Sequence, residues 1–327
     1  GFLVERLHPA AGPYLALIAM VALTVTVWRT LSDRPDTERQ VLLESGRLHR
    51  VSGVLGLLTG AAAVAGAVFP QLVATGVDLS TNYSGKLLAP AGLLVLVLAV
   101  ALLVPRAAGA IRPAFAVALL SVPFAAAAAF DAAFTATGVS GAVRVGPGVL
   151  FTGLALVLAF ATAVAVAIAG GAERDDVDLT ERQVNLTLAA PVTAAALFAV
   201  GAFSLPAVRA ADLRSPGIWS DFRFASWGLL IALVGIIAVA AVALSARPPR
   251  AAAMLLGAAG VVGVRLLEYP LTEGRAAESF PGQGMWLALA CVVTLVVSAS
   301  VAAASRRSAP VETYRARTAV ARKGRRR

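Results

Sequence analysis

Charge is scarce in this chain, cysteine and histidine are almost missing, and lysine has nearly given way to arginine. Only 14% of the 327 residues are Asp, Glu, Lys or Arg, against roughly 25% in a soluble domain. An ordinary soluble surface is excluded. The single cysteine, Cys291, cannot close an intrachain disulfide, so the redox compartment is not legible. Two histidines, His8 and His49, argue against a bis-histidine haem in a bilayer and against most histidine-rich metal sites. No phosphate loop, zinc motif or spaced catalytic triad occurs. No cofactor, metal or catalytic residue is therefore assigned. Lys86 and Lys323 are the lysines among 28 basic residues. Together with the abundance of Ala, Val and Gly, this resembles the output of a high-GC, actinobacterium-like genome.

What is present is apolar sequence in blocks. Hydrophobic residues make up 59% of the chain and mean hydropathy is +0.82. The blocks are about 20 residues long, the length that crosses a hydrocarbon core at about 1.5 Å per residue. Closed barrels need alternating segments of about 10 residues, whereas Leu93–Val104 and Leu229–Leu244 run on as continuous Ala/Leu/Val. The expected fold class is all-α, a polytopic bundle with spans near 13–28, 51–69, 87–105, 113–136, 147–169, 185–205, 226–245, 251–269 and 284–304. Residues 1–305 form the transmembrane domain, and 306–327 form a basic tail expected to be disordered.

Basic residues divide by side. Loops after odd-numbered spans and the tail carry twenty; the other side carries seven, Arg6, Lys86, Arg144, Arg209, Arg214, Arg223 and Arg275. Positive-inside bias places the odd loops and the C-terminus in the cytoplasm of a bacterial plasma membrane. The tail from Arg306 onward suits anionic lipid headgroups, worth about 1 kcal/mol per basic residue near the surface. The bilayer, those headgroups and other membrane proteins are the expected partners; nucleic acid is not.

Thr37-Glu38-Arg39-Gln40-Val41 recurs as Thr180-Glu181-Arg182-Gln183-Val184. Four spans lie between the copies, so a duplicated four-helix unit of one orientation is expected, as in parallel-repeat transporter folds. Spans also end at Phe69-Pro70, Leu205-Pro206 and Tyr269-Pro270 and restart at Gly146-Pro147-Gly148 and Gly282-Gln283-Gly284, because proline and glycine belong at helix ends. The unit is a two-helix hairpin. The span at 13–28 lacks a hairpin partner, which predicts a further helix upstream of Gly1.

Chemistry has few places to reside. The acids Glu173, Asp175, Asp176 and Asp178, with Asp33 and Asp36, resemble the acidic loops of intramembrane prenyltransferases, but neither stretch has the Asn-Asp-x-x-Asp-x-x-x-Asp pattern. Thr37-x-x-Gln40 and Thr180-x-x-Gln183 match capping boxes, and carboxylates before a helix favour its positive end. Three charged residues fall inside spans: Asp131, Arg265 and Glu268. An intramembrane Arg costs about 2.5–3.5 kcal/mol at mid-depth. Pairing with Glu268 at i+3, pairing with Asp131 between helices, or snorkelling reduces that cost. The segment 215–227 carries Trp219, Asp221, Phe222, Arg223 and Trp227. It reads as an interfacial aromatic belt, or as a reentrant segment that touches lipid or glycan. Asn185, Thr187 and Thr193 offer interhelical bonds, Pro123 and Pro191 offer kinks, and Gly53, Gly56, Gly60 and Gly66 offer close packing. Two function classes follow: a non-enzymatic transport or envelope/division assembly component, and an intramembrane enzyme on lipid-linked substrates of prenyl- or glycosyltransferase type.

Overall fold

The computed structural model describes residues 40–74, 85–104, 108–139, 143–172, 185–210, 213–214, 217–219, 222–272 and 279–304. The expected span at 13–28, both acidic loops, most of the repeated pentapeptides and the basic tail lie outside them. The described chain is a helical membrane bundle. Seven of its helices are long and apolar enough to cross a bilayer.

In chain order the elements are α1 (Gln40–Val68), β1 (Leu72–Ala74), α2 (Leu88–Leu103), α3 (Ala108–Ala118), α4 (Ser121–Val139), β2 (Val143–Val145) and α5 (Pro147–Ala172). There follow α6 (Leu186–Ser204), β3 (Val208–Ala210), β4 (Leu213–Arg214), α7 (Phe224–Ala243), α8 (Pro248–Leu266), α9 (Glu268–Thr272), β5 (Phe280–Pro281) and α10 (Gln283–Ala304). Helices α3 and α4 form one span, Ala108–Thr137, as do α8 and α9, Pro248–Thr272. Helix α2 is shorter at 16 residues.

Helix α1 lies between α5 and α2, while α10 lies between α6 and α8. The centre is the α3–α4 span, which packs on α8 through α3 and on α7 through α4. Small residues set how closely these helices approach. A Cβ on Gly60 would come within 2.7 Å of the Gly92 carbonyl oxygen, and a Cβ on Gly92 equally near that of Gly60. The α1/α2 crossing is thus a backbone-to-backbone contact, the packing that small residues allow in membranes, where water expulsion does not drive helices together. The aromatic ring of Phe115 fills the space over Gly56.

Pro123 breaks the central span. It lacks the N–H that would bond the Leu119 carbonyl, and its ring crowds that oxygen. The Val122 N–H reaches Leu119 instead, at 3.2 Å. The buried Ser121 hydroxyl donates to the Ala118 carbonyl at 2.7 Å, which keeps one loosened acceptor satisfied. Pro191, by contrast, sits inside an uninterrupted α6.

The short strands were not expected from sequence. All gather at one end of the bundle, where β1 pairs with β2 and β3 pairs with both β4 and β5, antiparallel throughout. They satisfy backbone groups that leave the helices, which matters where water is scarce.

Candidate functional site

The strand end holds two junctions of one design. At the first, Gly146 N–H donates to the Gln71 carbonyl (2.8 Å) and Gly148 N–H to the Pro70 carbonyl (3.0 Å). At the second, Gly282 N–H donates to Ala207 (2.7 Å) and Gly284 N–H to Pro206 (3.0 Å). Gly282, Gly284, Pro206 and Ala207 each lie 136 positions after Gly146, Gly148, Pro70 and Gln71 respectively. All four glycines are required by space. A Cβ at any of them would run into a carbonyl oxygen of the opposing Pro or of the residue before it.

Both junctions must also dispose of the terminal carbonyls of a helix, four of which lack intrahelical donors. At the end of α1, the Gln71 side-chain amide donates to the Gly66 carbonyl at 2.7 Å and to the Thr152 hydroxyl at 3.1 Å. At the end of α6 the donor is Arg265. Its Nε reaches the Ala202 carbonyl at 3.4 Å and Nη2 the Leu205 carbonyl at 3.2 Å. Ala202 lies 136 positions after Gly66, so one acceptor position is capped by a neutral amide in one place and by a guanidinium in the other.

Arg265 is 2% exposed and forms an ion pair through Nη1 with Glu268. That is the i+3 pairing weighed from the sequence. Asp131, half-buried on α4, is not among its partners. A cation at a helix C-terminus is also favoured by the helix dipole. Thr272 closes the group by donating to the Glu268 backbone carbonyl at 2.6 Å.

A second polar line follows the α1/α5 seam. The Thr59 and Thr162 hydroxyls lie 3.1 Å apart, both buried. Each hydroxyl is also within reach of a carbonyl of its own helix, Thr59 of Leu55 at 2.7 Å and Thr162 of Leu158 at 2.6 Å, so one donates along its helix while the other turns its single proton across the seam. The Arg112 guanidinium, buried at the opposite end from the strands, donates to the Ala169 carbonyl at 3.4 Å. On α6, Thr187 and Thr193 are exposed, and the Thr187 hydroxyl donates to the side chain of its neighbour Asn185. The Asn185 backbone N–H ties α6 to the end of α7 through Leu244, at 2.9 Å.

The aromatic segment is fastened to the end of α6. Ile218, which the sequence did not single out, is 1% exposed, and its N–H donates to the Phe203 carbonyl at 3.3 Å. Trp219 is 77% exposed, yet its indole N–H donates to the Ser204 hydroxyl at 3.0 Å. Phe222 meets Trp227 edge to face at 5.2 Å, both exposed. Arg223 is the N-cap residue of α7, and its backbone N–H donates to the Ser226 hydroxyl at 3.2 Å. Asp221 lies outside the described residues. Phe130, Phe134 and Phe224 form a further cluster joining α4 to α7, with centroids 5.8–6.0 Å apart.

Below this rim a slot of about 500 Å³ opens sideways between the α3/α4 break and α5, lined by Leu119, Pro123, Leu156, Val157, Phe160 and other apolar side chains. Among the described residues no group of three or more His, Cys, Asp or Glu could hold a metal ion.

No protein-family model, curated protein or solved structure matches the chain. Its chemistry is therefore read from its own geometry.

Proposed function

We propose that the chain is a non-catalytic component of a bacterial plasma membrane that serves as an assembly scaffold for envelope or division machinery, or for a transport system. The observation that carries this is the use made of the buried polar side chains. Arg265, Glu268, Gln71, Thr59, Thr162 and Arg112 are each engaged in capping a helix or tying two together. Side chains locked in such bonds hold a shape rather than turn over a substrate. In the same reading nine spans cross the membrane, the C-terminal tail lies in the cytoplasm on anionic headgroups, and a four-helix unit is duplicated from near 37 and 180. The constant 136-residue offset between the two junctions supports the duplication. From the repeated pentapeptide to the Pro that ends the helix is longer in the first copy by seven residues, close to two helical turns.

The test is solubilisation from the native membrane in mild detergent, followed by sizing and by reconstitution of the purified chain. The scaffold reading expects a defined complex with one or more partner membrane proteins at fixed stoichiometry. A lone chain that moves a solute across proteoliposomes would overturn it. For topology, single cysteines at Arg144 and Arg250 in a Cys291→Ala chain are expected to label from outside and inside respectively.

One observation favours the enzymatic alternative. The apolar slot opens on the flank of the bundle, between the central span and α5, where the hydrocarbon chain of a lipid-linked substrate would enter. On that reading Asp33, Asp36, Asp175, Asp176 and Asp178 would carry the chemistry. Full complementation of a deletion strain by Asp175→Asn/Asp176→Asn would remove it.

A further inference from the structure

We infer that the three-stranded sheet binds the headgroup of one anionic phospholipid, its phosphate at Arg209 and Arg214 and one acyl chain along α10. The first observation is a row of residues set by register. The central strand β3 places Arg209 directly opposite Arg214 on β4 and Phe280 on β5. Residues directly opposite share one face, with Cβ atoms about 4.5–5.5 Å apart, and like charges in such a pair repel. Arg209 is exposed, and among the described residues no carboxylate pairs with it. Its Nη2 meets a neutral acceptor, the Gln283 side chain, at 3.4 Å. An anion shared by the two arginines turns their repulsion into attraction, and a phosphate matches the fork of a guanidinium. A zwitterionic headgroup would bring its own cation to the same place, so the site favours a lipid of net negative charge.

The second observation is height. Gln283, the acceptor for Arg209, is the first residue of α10. Trp286 is exposed and lies one helical turn deeper, roughly 4.5 Å at about 1.5 Å per residue. Tryptophan rings settle at the membrane–water interface. Arg209 therefore stands at the level of the phosphates just above that interface.

The third is an apolar path beneath the charge. Trp286, Leu289, Val293 and Val297 are exposed, and steps of three or four residues align them on one face of α10. From Trp286 to Val297 is roughly 16 Å along the helix, against a half-core thickness of about 15 Å. An acyl chain on this face reaches from the interface to the bilayer centre. The first junction lacks the paired arginines. Val73 and Arg144 lie 136 positions before Arg209 and Phe280, and there Arg144 faces Val73 across the strands.

The test is quenching of a nitrobenzoxadiazole label on Val293→Cys, in a Cys291→Ala chain reconstituted into phosphatidylcholine vesicles. The quencher is a nitroxide on the acyl chain of either phosphatidylglycerol or phosphatidylcholine. The expected result is half-maximal quenching by phosphatidylglycerol at about a 25-fold lower mole fraction, about fivefold for each basic residue near the headgroup. Arg209→Gln and Arg214→Gln should each cut that preference about fivefold without altering elution on size exclusion. Arg144→Gln should leave it intact. Equal quenching by the two lipids would overturn the inference. So would a preference that survives Arg209→Gln with Arg214→Gln, or one that Arg144→Gln reduces as much, since either would place the charge that selects the lipid elsewhere.

Discussion

Removing the carboxylate of Glu268 isolates the most deeply buried charge described in the bundle. Arg265 is 2% exposed, and Glu268 is its ion-pair partner. In Glu268→Ala the guanidinium keeps its two carbonyl acceptors, Ala202 and Leu205, but loses its counter-charge. Breaking a buried pair from one side costs about 3–5 kcal/mol, because an uncompensated charge stays behind. At about 2–4 °C per kcal/mol the apparent melting temperature should fall by on the order of 10 °C. Glu268→Gln retains an acceptor and should fall by less. Arg265→Met with Glu268→Met removes both charges and fills the volume, so it should recover most of the loss despite leaving two carbonyls without donors. Asp131→Ala should cost under about 1 kcal/mol, since Asp131 is not a partner. Thermal scans of detergent-solubilised variants read by size-exclusion fluorescence measure all four. A Glu268→Ala chain within 2 °C of the parent, or a double variant worse than either single one, would refute the reasoning.

The junction glycines give a second prediction. Gly146→Ala and Gly282→Ala place a methyl group against a backbone oxygen and should each cost more than the 1–3 kcal/mol typical of overpacking. Gly263→Ala, where a Cβ meets nothing within 4 Å, should be neutral or stabilise by up to about 1 kcal/mol. A thermal scan ranks the three. For the seam, Thr59→Val and Thr162→Val should show a coupling of about 0.6 kcal/mol in a double-mutant cycle. Gln71→Leu leaves the Gly66 carbonyl without its side-chain donor and should destabilise by about 1–3 kcal/mol. A peptide of residues 306–327 should bind phosphatidylglycerol vesicles in proportion to their anionic fraction and be released by salt in a sedimentation assay.

The candidate site was legible only in part. Arg265 and Glu268 stood out because charges inside apolar runs are conspicuous, and their i+3 spacing within one span kept them close although α8 ends and α9 begins between them. The carbonyls of Ala202 and Leu205, about sixty positions away, carry no mark in a sequence, since every residue has a carbonyl. Gln71 was overlooked for a related reason. One amide after a proline looks like a loop residue until α5 brings Thr152 to it. Ile218 was hidden among larger aromatics, although it alone of the turn 217–219 has a large side chain that is fully buried. The glycine pairs were visible, but as helix starts rather than as strand junctions.

The sequence by itself determined the solvent. Scarce charge and apolar blocks of bilayer length leave a membrane helix as the only backbone that satisfies its own hydrogen bonds. It also placed helix ends at Phe69-Pro70, Leu205-Pro206, Gly146-Pro147 and Gly282-Gln283-Gly284, because Pro and Gly act locally, but not at Tyr269-Pro270, where α9 runs on to Thr272, nor at Pro113, which lies inside α3. Tertiary structure decided which ends meet, which carbonyl each buried donor caps and where a slot remains between two walls. Those depend on the distances between helices, set by side chains that are far apart in the chain. The charged pair shows the division: its spacing of three residues is sequence, and its role as the cap of another helix is fold.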